Sequence, residues 1–159
     1  MPYIHLTTFV AAPIQRVFDL SRSIDLHQHT MQRYNEVPVG EKRSGLLKAG
    51  EEVIWQAKHL LKERKLKVKI TDMKPPFSFI DEQVEGDFVM MKHEHYFKEL
   101  QNGTFMIDQF RYEIAYGKLG ALFNQVYFTR YMQRLLEERN EQIKKVAEGA
   151  HWKQFLQEK

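Results

Sequence analysis

The sequence of 159 residues is 43% hydrophobic, 13% aromatic and 28% charged, which suits one globular domain and excludes a disordered chain. It contains no cysteine, which excludes disulfides and thiolate chemistry, and its formal net charge of +3 is too small to indicate nucleic acid. Because no apolar run could span a bilayer and the N-terminus lacks the features of a signal peptide, we expect a cytoplasmic protein.

The first quarter of the chain predicts a strand, two short helices and a second strand. "YIHLTTFV", residues 3–10, is rich in β-branched and aromatic residues, which favours a strand. Pro13 suits the first turn of a helix, and the hydroxyl of Ser23 can accept from the unpaired N–H groups of a second helix. "QRYNEVPV", residues 32–39, predicts another strand, and the glycine-containing "GEKRSGLLKAG" a flexible connection.

The middle of the chain has five segments with alternating or β-rich patterns, which predict an antiparallel meander. They are EEVIWQAKHLL, RKLKVKITDM, FSFIDEQV, VMMKHEHYFKEL and TFMIDQFRYEIAY. In the second, we expect Leu66, Val68 and Ile70 to be buried and Lys65, Lys67 and Lys69 to be exposed. Pro75 and Pro76 mark the turn after it. In the third, the pattern allows either Phe79, Asp81 and Gln83 or Ile80, Glu82 and Val84 to face inward.

A long helix is predicted from Lys118 to Glu148, since the segment has no proline and Gly149 follows as a C-terminal cap. Its apolar residues at helical spacing are Leu122, Val126, Met132, Leu136, Ile143 and Ala147. We expect one domain over residues 1–149 and a C-terminal tail over 150–159. The apolar residues of the tail, Trp152, Phe155 and Leu156, are compatible with a docked turn or with fraying.

The final hairpin contains two histidines one residue apart, His93 and His95. Asn102–Gly103 is a strong signal for its turn. With that turn, Phe97 pairs with Asp108, His95 with Phe110 and His93 with Tyr112, and Glu94 faces Arg111 on the other side of the sheet. The first of these faces is apolar apart from a few polar groups. Its members are Met91, His93, His95, Phe97, Met106, Asp108, Phe110, Tyr112 and Ile114.

The order of these elements resembles that of the START-like (SRPBCC) superfamily over nearly the whole chain. The resemblance is carried by the stretches FVAAPIQRVFDLSRSIDLHQHTM, KPPFSFIDEQVEGDF, KHEHYF, GTFMIDQFRYEI and GKLGALF. They look like the bacterial ligand-binding or polyketide cyclase/dehydrase-like branch, although Tyr116 stands where that branch often has proline. The resemblance implies an α+β helix-grip fold, in which a curved antiparallel sheet of about seven strands wraps around a long C-terminal helix.

The resemblance also implies that a lipid, polyketide or aromatic compound binds in a cavity between the sheet and the helix. For most of the residues that we assign to this site, ordinary core packing is the competing interpretation. The predicted ligand-binding residues are Trp55, His93, His95, Phe97, Asp108, Phe110, Tyr112, Leu122, Val126, Thr129 and Gln133. The histidines could orient the polar end of a ligand or simply hydrogen-bond within the hairpin.

Three other functions are weighed on the same residues. A cyclase or dehydratase would use the histidines with Asp108 or Tyr112 as an acid–base set. However, the sequence contains no nucleophile, phosphate-binding or dinucleotide-binding motif. We therefore expect a non-enzymatic binding protein without a cofactor. No metal site is predicted, because i, i+2 histidines are common by chance and a fourth ligand is not evident. The basic run is better explained as a solvated face than as a nucleic-acid or membrane surface, and its members are Lys58, Lys62, Arg64, Lys65, Lys67, Lys69 and Lys74. The oligomeric state stays open.

Overall fold

The structure is a computed structural model that describes residues 1–59, 61–114 and 121–157, with 121–124 described by their backbone only. Its described residues form one seven-stranded sheet, three α-helices and two short 3₁₀-helices. In chain order the elements are β1 (Tyr3–Val10), α1 (Ile14–Ser21), α2 (Ile24–Thr30), a 3₁₀-helix (Gln32–Tyr34), β2 (Val37–Val39), β3 (Glu52–His59), β4 (Lys62–Lys74), β5 (Ser78–Glu85), β6 (Met90–Leu100), β7 (Gly103–Glu113), α3 (Ala121–Glu148) and a second 3₁₀-helix (Trp152–Phe155).

The sheet is antiparallel throughout, in the order β1-β7-β6-β5-β4-β3-β2. The pairing of β4 with β5 shifts register after Lys67 and again after Ile70, and such irregularities bend a sheet locally. The long helix α3 packs against β1, α1 and α2. This arrangement is the α+β helix-grip fold, which confirms the predicted fold class.

Both short helices follow from local chemistry. Pro13 occupies the N-cap of α1, and the hydroxyl of Ser23 accepts a hydrogen bond of 3.1 Å from the backbone N–H of Leu26 at the start of α2. The inner face of α1 buries Phe18, whose ring packs edge-on against Phe79 at 5.8 Å and Phe97 at 5.5 Å. Of the two helices, α1 contacts β6 and β7, and α2 contacts β2.

The predicted second strand is wrong over its first half. Gln32–Tyr34 forms a 3₁₀-helix, and the strand is only Val37–Val39. The chain turns at Asn35, which has a left-handed backbone conformation (φ +50°) that a strand does not accommodate. As a result Glu36, which the strand pattern did not single out, is buried.

The turn of the final hairpin lies one residue earlier than predicted. Leu100 pairs with Gly103, so the two turn residues are Gln101 and Asn102, and neither has a positive φ. The register therefore changes by two residues, and His95 faces Asp108 while His93 faces Phe110. Because side chains alternate with a period of two, each residue stays on its predicted face.

The register change also affects the outer face. Glu94 lies opposite Gln109 and not opposite Arg111, as was predicted. The Arg111 guanidinium still reaches Glu94 diagonally, at 3.3 Å. Glu94 is buried, but the Arg111 side chain is 44% exposed, so solvent partly screens this ion pair and its contribution to stability is modest.

The central strands follow their patterns with two exceptions. Val68 and Ile70 are buried and Lys65 and Lys69 are exposed, as predicted, while Leu66 is only half-buried. Lys67 is also half-buried, and its ammonium forms an ion pair of 3.1 Å with Glu52 on β3. In β5 it is Phe79 and Asp81 that face inward, and Val84 is exposed, which decides between the two alternatives.

The long helix is continuous from Ala121 to Glu148, and the predicted positions 118–120 lie outside the described residues. Leu136, Ile143 and Ala147 are buried as expected, but the prediction that Val126 is buried is wrong, because it is 47% exposed. Val126 precedes Leu136 by ten residues, which places it about 80° away from Leu136 around the helix. The side chain of Leu122 lies outside the described residues.

The C-terminal tail docks on the body of the protein. Its 3₁₀-helix places the Trp152 ring under the Arg16 guanidinium at 4.1 Å, and the Phe155 carbonyl accepts a hydrogen bond of 2.9 Å from the Ser23 hydroxyl. Trp152, Phe155 and Leu156 are partly buried against the core. The docked alternative is therefore the correct one for residues 152–156.

Candidate functional site

A cavity of about 510 Å³ lies between the sheet, α2 and α3. Most of its wall is apolar, with side chains from β3 to β7 and from α3, among them Trp55, Val68, Phe79, Phe110, Phe128 and Leu136. The volume is within the range of small-molecule sites. Several ionisable side chains also line the cavity: Arg22, Lys65, the ion-paired Arg64 and Asp87, and members of the two clusters described next.

The first group, the Asp108 cluster, consists of Asp81, His93, His95, Asp108, Arg139 and Asn140. The backbone of β6 places His93 and His95 on its inner face, between Asp81 on β5 and Asp108 on β7. His93 Nε2 donates to Asp108 Oδ1 at 2.7 Å, and His95 Nε2 donates to Asp81 Oδ2 at 2.7 Å. His95 Nδ1 lies 3.4 Å from Asp108 Oδ1. The two histidines are thus held by two carboxylates.

Two residues of the long helix α3, Arg139 and Asn140, complete this cluster. Asn140 Nδ2 donates to Asp108 Oδ2 at 2.6 Å, and the Arg139 guanidinium lies 3.7 Å from Asp108 Oδ1 while donating to the Ser21 carbonyl. Asp108 is fully buried, so a lone carboxylate there would be unstable. Contacts from the hairpin and from α3 stabilise the negative charge of Asp108. The same contacts join the sheet to α3.

The charges of the cluster are set by competition between burial and pairing. Burial alone would raise the pKa of Asp108, but hydrogen bonds from His93 and His95 hold it well below its usual range. Burial opposes the charged form of His95 as well, yet its bonds to Asp108 and Asp81 raise its pKa. Burial and the neighbouring His95 lower the pKa of His93. Of the two histidines, His95 therefore holds a proton more readily than His93.

The second group, the Glu36 cluster, consists of His27, Glu36, His59 and Tyr131. Glu36 is buried and accepts a hydrogen bond from His27 Nε2, while His59 Nε2 lies 3.6 Å from its other oxygen. His59 Nδ1 and the Tyr131 hydroxyl are 2.8 Å apart. All four residues line the same cavity as the Asp108 cluster.

Electrostatics keep Glu36 ionised and Tyr131 neutral. Burial would raise the pKa of Glu36, but the charge and hydrogen bond of His27, together with His59, lower it to about 2. Burial, reinforced by Tyr34 and Tyr127, raises the pKa of Tyr131 to about 12. The cluster therefore offers the cavity a neutral phenol beside a carboxylate that is already paired with histidine.

Of the eleven predicted ligand-binding residues, only some line the cavity. Trp55, His93, His95 and Phe110 line the cavity wall. Asp108 is absent from the wall and lies behind the histidines that it binds. Phe97 is part of the core with Phe18, and the side chain of Leu122 is outside the described residues.

The remaining predicted residues do not reach the cavity either. The Tyr112 hydroxyl is 2.6 Å from the Thr129 hydroxyl, so these two residues link β7 to α3 and are not part of the wall. Gln133 is exposed and donates to Glu137 one turn further along the helix. Val126 is exposed for the reason given above. The cavity faces a part of α3 closer to its middle than was predicted.

Sequence reasoning missed the Glu36 cluster and Arg139. The cluster is assembled from α2, the loop before β2, the end of β3 and α3, so no period along the chain reveals it. The only local signal was the unusual histidine content of "DLHQHT". Arg139 gave no signal, since an arginine on a helix is normally exposed.

One set of side chains has the chemistry of metal ligands. Donor atoms of Asp81, His93 and His95 lie within 4.8 Å of one another. However, His95 Nε2 and His93 Nε2 are already hydrogen-bonded to carboxylates, and Arg139 places a positive charge beside the cluster. These contacts give the three side chains a role without an ion, and we assign them no metal.

No family model matches the sequence, and no curated protein matches it. Solved structures do match. A protein from Thermus thermophilus, TTHA0849, has a TM-score of 0.67 at 18% identity, over 89% of this chain and 97% of that one. The KanY protein has a TM-score of 0.69 at 15% identity, over 94% and 100%. Major latex-like protein 151 from Panax ginseng has a TM-score of 0.66 at 14% identity, over 92% and 97%. These likenesses show that the chain has the START-like helix-grip fold.

Among the described helices, none is both long enough and apolar enough to cross a membrane.

Proposed function

We propose that this protein binds a hydrophobic or amphipathic small molecule in the cavity between the sheet and α3. The observation that carries the proposal is the cavity itself, which has a volume of about 510 Å³ and a mostly apolar wall with a few paired polar groups. This combination is typical of sites that recognise an apolar body by its shape and fix its orientation by a few hydrogen bonds. A lipid, a polyketide or a flat aromatic compound would suit such a wall.

The polar anchor that we favour within this site is His93. Its Nε2–H is committed to Asp108, which leaves Nδ1 for a ligand, and no described residue is hydrogen-bonded to that atom. Burial lowers the pKa of His93 and so favours the neutral ring, in which Nδ1 is an acceptor. Asp108 and Asn140 position the ring and are not expected to touch the ligand.

The test is a titration with an environment-sensitive apolar dye, followed by competition with fatty alcohols and flat aromatic compounds. We expect saturable binding to the native protein. Ala57 lines the cavity, so Ala57→Phe should reduce dye affinity at least tenfold by filling it, whereas Ala49→Phe, at an exposed position, should leave the affinity unchanged. Dye binding that is equal in both variants, or that appears only under partly denaturing conditions, would contradict the proposal.

Catalysis by the same site is a second candidate, and one observation favours it. His95 lies on the cavity wall between two carboxylates, and an imidazole oriented by a carboxylate can transfer protons. A cyclase or dehydratase acting on a polyketide-like substrate would use it in this way. His95→Gln should then abolish turnover with little change in substrate affinity, whereas in a binder it should alter affinity or stability alone.

A further inference from the structure

The Glu36 cluster forms a second polar end of the cavity. His59 and Tyr131 line the wall of the cavity that the Asp108 cluster also faces, but they belong to different strands and to a different part of α3. The proposed function uses only the Asp108 end. The side chains at the other end are buried or half-buried ionisable groups, which are costly to place in an apolar wall unless they have partners.

The distance between the two ends can be obtained from the fold in two ways. The histidines of the Asp108 cluster are on β6 and His59 is on β3, three strand spacings apart in the sheet, or roughly 14 Å. Arg139, beside Asp108, and Tyr131 are eight residues apart on α3, or roughly 12 Å along the helix axis. Both estimates place the backbones of the two clusters more than about 10 Å apart.

The chemistry of each end limits the ligand group that it can accept. At one end, His93 Nδ1 is an acceptor and requires a donor such as a hydroxyl. At the other, the Tyr131 hydroxyl shares one hydrogen bond with His59 and can still donate or accept another. The carboxylates of the two clusters are already paired with histidine or arginine, so neither end offers a free counter-charge to a charged ligand group.

We propose that the ligand of this cavity is a neutral molecule with an apolar body and a hydroxyl group at each end, one bound by His93 and the other by Tyr131. The inference rests on the proposed function and specifies its ligand class. It separates this ligand from fatty acids, which carry a charge, and from hydrocarbons with one polar end.

The test compares four alcohols by isothermal titration calorimetry: dodecanol, the α,ω-diol of dodecane, hexanol and the α,ω-diol of hexane. The dodecane diol is long enough to reach both ends and the hexane diol is not. We expect the dodecane diol to bind about two- to tenfold more tightly than dodecanol, the value of one additional hydrogen bond. The hexane diol should show no such gain over hexanol.

Two variants locate the second anchor. Tyr131→Phe removes only the hydroxyl and should abolish the advantage of the dodecane diol while leaving dodecanol, which can use His93, nearly unaffected. Tyr127→Phe is the matched control, since Tyr127 is on the same helix, is 56% exposed and is absent from the cavity wall. Its affinities should equal those of the parent.

Equal affinity of the parent for dodecanol and the dodecane diol would overturn the inference while leaving the proposed function intact. A loss of both affinities to the same extent in Tyr131→Phe would also overturn it. If neither alcohol nor the apolar dye bound the parent protein, the proposed function would fail, and this inference with it.

Discussion

The two polar clusters on the cavity wall differ in how they are built and in what they contribute. The Asp108 cluster comes from three adjacent strands and α3, and its central carboxylate is fully buried with close partners on several sides. The Glu36 cluster comes from four separate elements, and its outer histidines keep side-chain exposures of 25% for His27 and 20% for His59. The comparison indicates that the first cluster, whose histidines also line the cavity, holds the sheet to the helix, whereas the second contributes less to this link.

The largest expected effect is the loss of Asp108. Asp108→Ala removes the acceptor for His93 and Asn140 and leaves Arg139 without its nearest carboxylate. We expect the free energy of unfolding to fall by about 3–5 kcal/mol, the usual result of breaking a buried ionic network. Chemical denaturation measures it. Asp87→Ala, at a side chain that is 59% exposed, is the control and should cost less than about 1 kcal/mol.

The test depends on the difference in the free energy of unfolding between Asp108→Ala and Asp87→Ala. If Asp108→Ala were as mild as Asp87→Ala, the cluster would not join the sheet to α3, and the contrast between the two clusters would be lost.

The next effect concerns acid stability and the Glu36 cluster. The pKa of Glu36 is lowered from 4.5 to about 2, so its ionisation stabilises the fold above pH 4.5, and this contribution is lost as pH falls towards about 2. At 1.36 kcal/mol per pKa unit the contribution is roughly 3 kcal/mol. Glu36→Gln should lack this part of the acid dependence.

The measurement is the free energy of unfolding of both proteins between pH 2 and pH 6, the interval that contains both pKa values. Other carboxylates titrate in both proteins, so the informative quantity is the difference between the two curves. That difference should shrink as pH falls below 4.5. Two parallel curves would show that Glu36 is not held ionised by its histidines.

A smaller effect compares one histidine from each cluster. His93→Gln disrupts a buried bond to a charged acceptor and should cost about 1.5–3 kcal/mol. His59→Gln disturbs a longer ion pair at a partly exposed side chain and should cost less than about 1 kcal/mol. Melting temperature and denaturant midpoint measure both. Equal losses would mean that the two clusters contribute alike to stability, contrary to the comparison.

The parts of the molecule that could be predicted from the sequence are those with a regular period. Alternation along β4 and β6 correctly placed Ile70, His93 and His95 on the inner face of the sheet. Asp108 was also assigned to the correct face, because the error in the turn position changed the register by two residues. The helix-grip topology was implied by the resemblance of the element order to the START-like superfamily. Patterns of this kind depend on neighbours along the chain, which the sequence supplies directly.

The parts that could not be predicted depend on contacts between distant segments. The partner of His95 is Asp81, on a strand whose inner face the pattern did not decide. Glu36 contacts His59, and His59 contacts Tyr131, because the fold brings together the loop before β2, the end of β3 and α3. On α3 itself, approximate helical spacing extended the predicted buried face to Val126, which lies about 80° around the helix from Leu136 and is exposed.

The central claim, that the cavity holds an apolar ligand, is tested most directly by methyl NMR during titration with the apolar dye. Val68, Ile70 and Leu136 line the cavity, whereas Val84 and Val89 are 46% and 59% exposed. We expect the methyl resonances of the first three residues to shift and saturate together, with those of Val84 and Val89 unchanged. Shifts confined to Val84, Val89 or other exposed methyl groups would show that the dye binds the surface, and would contradict the claim.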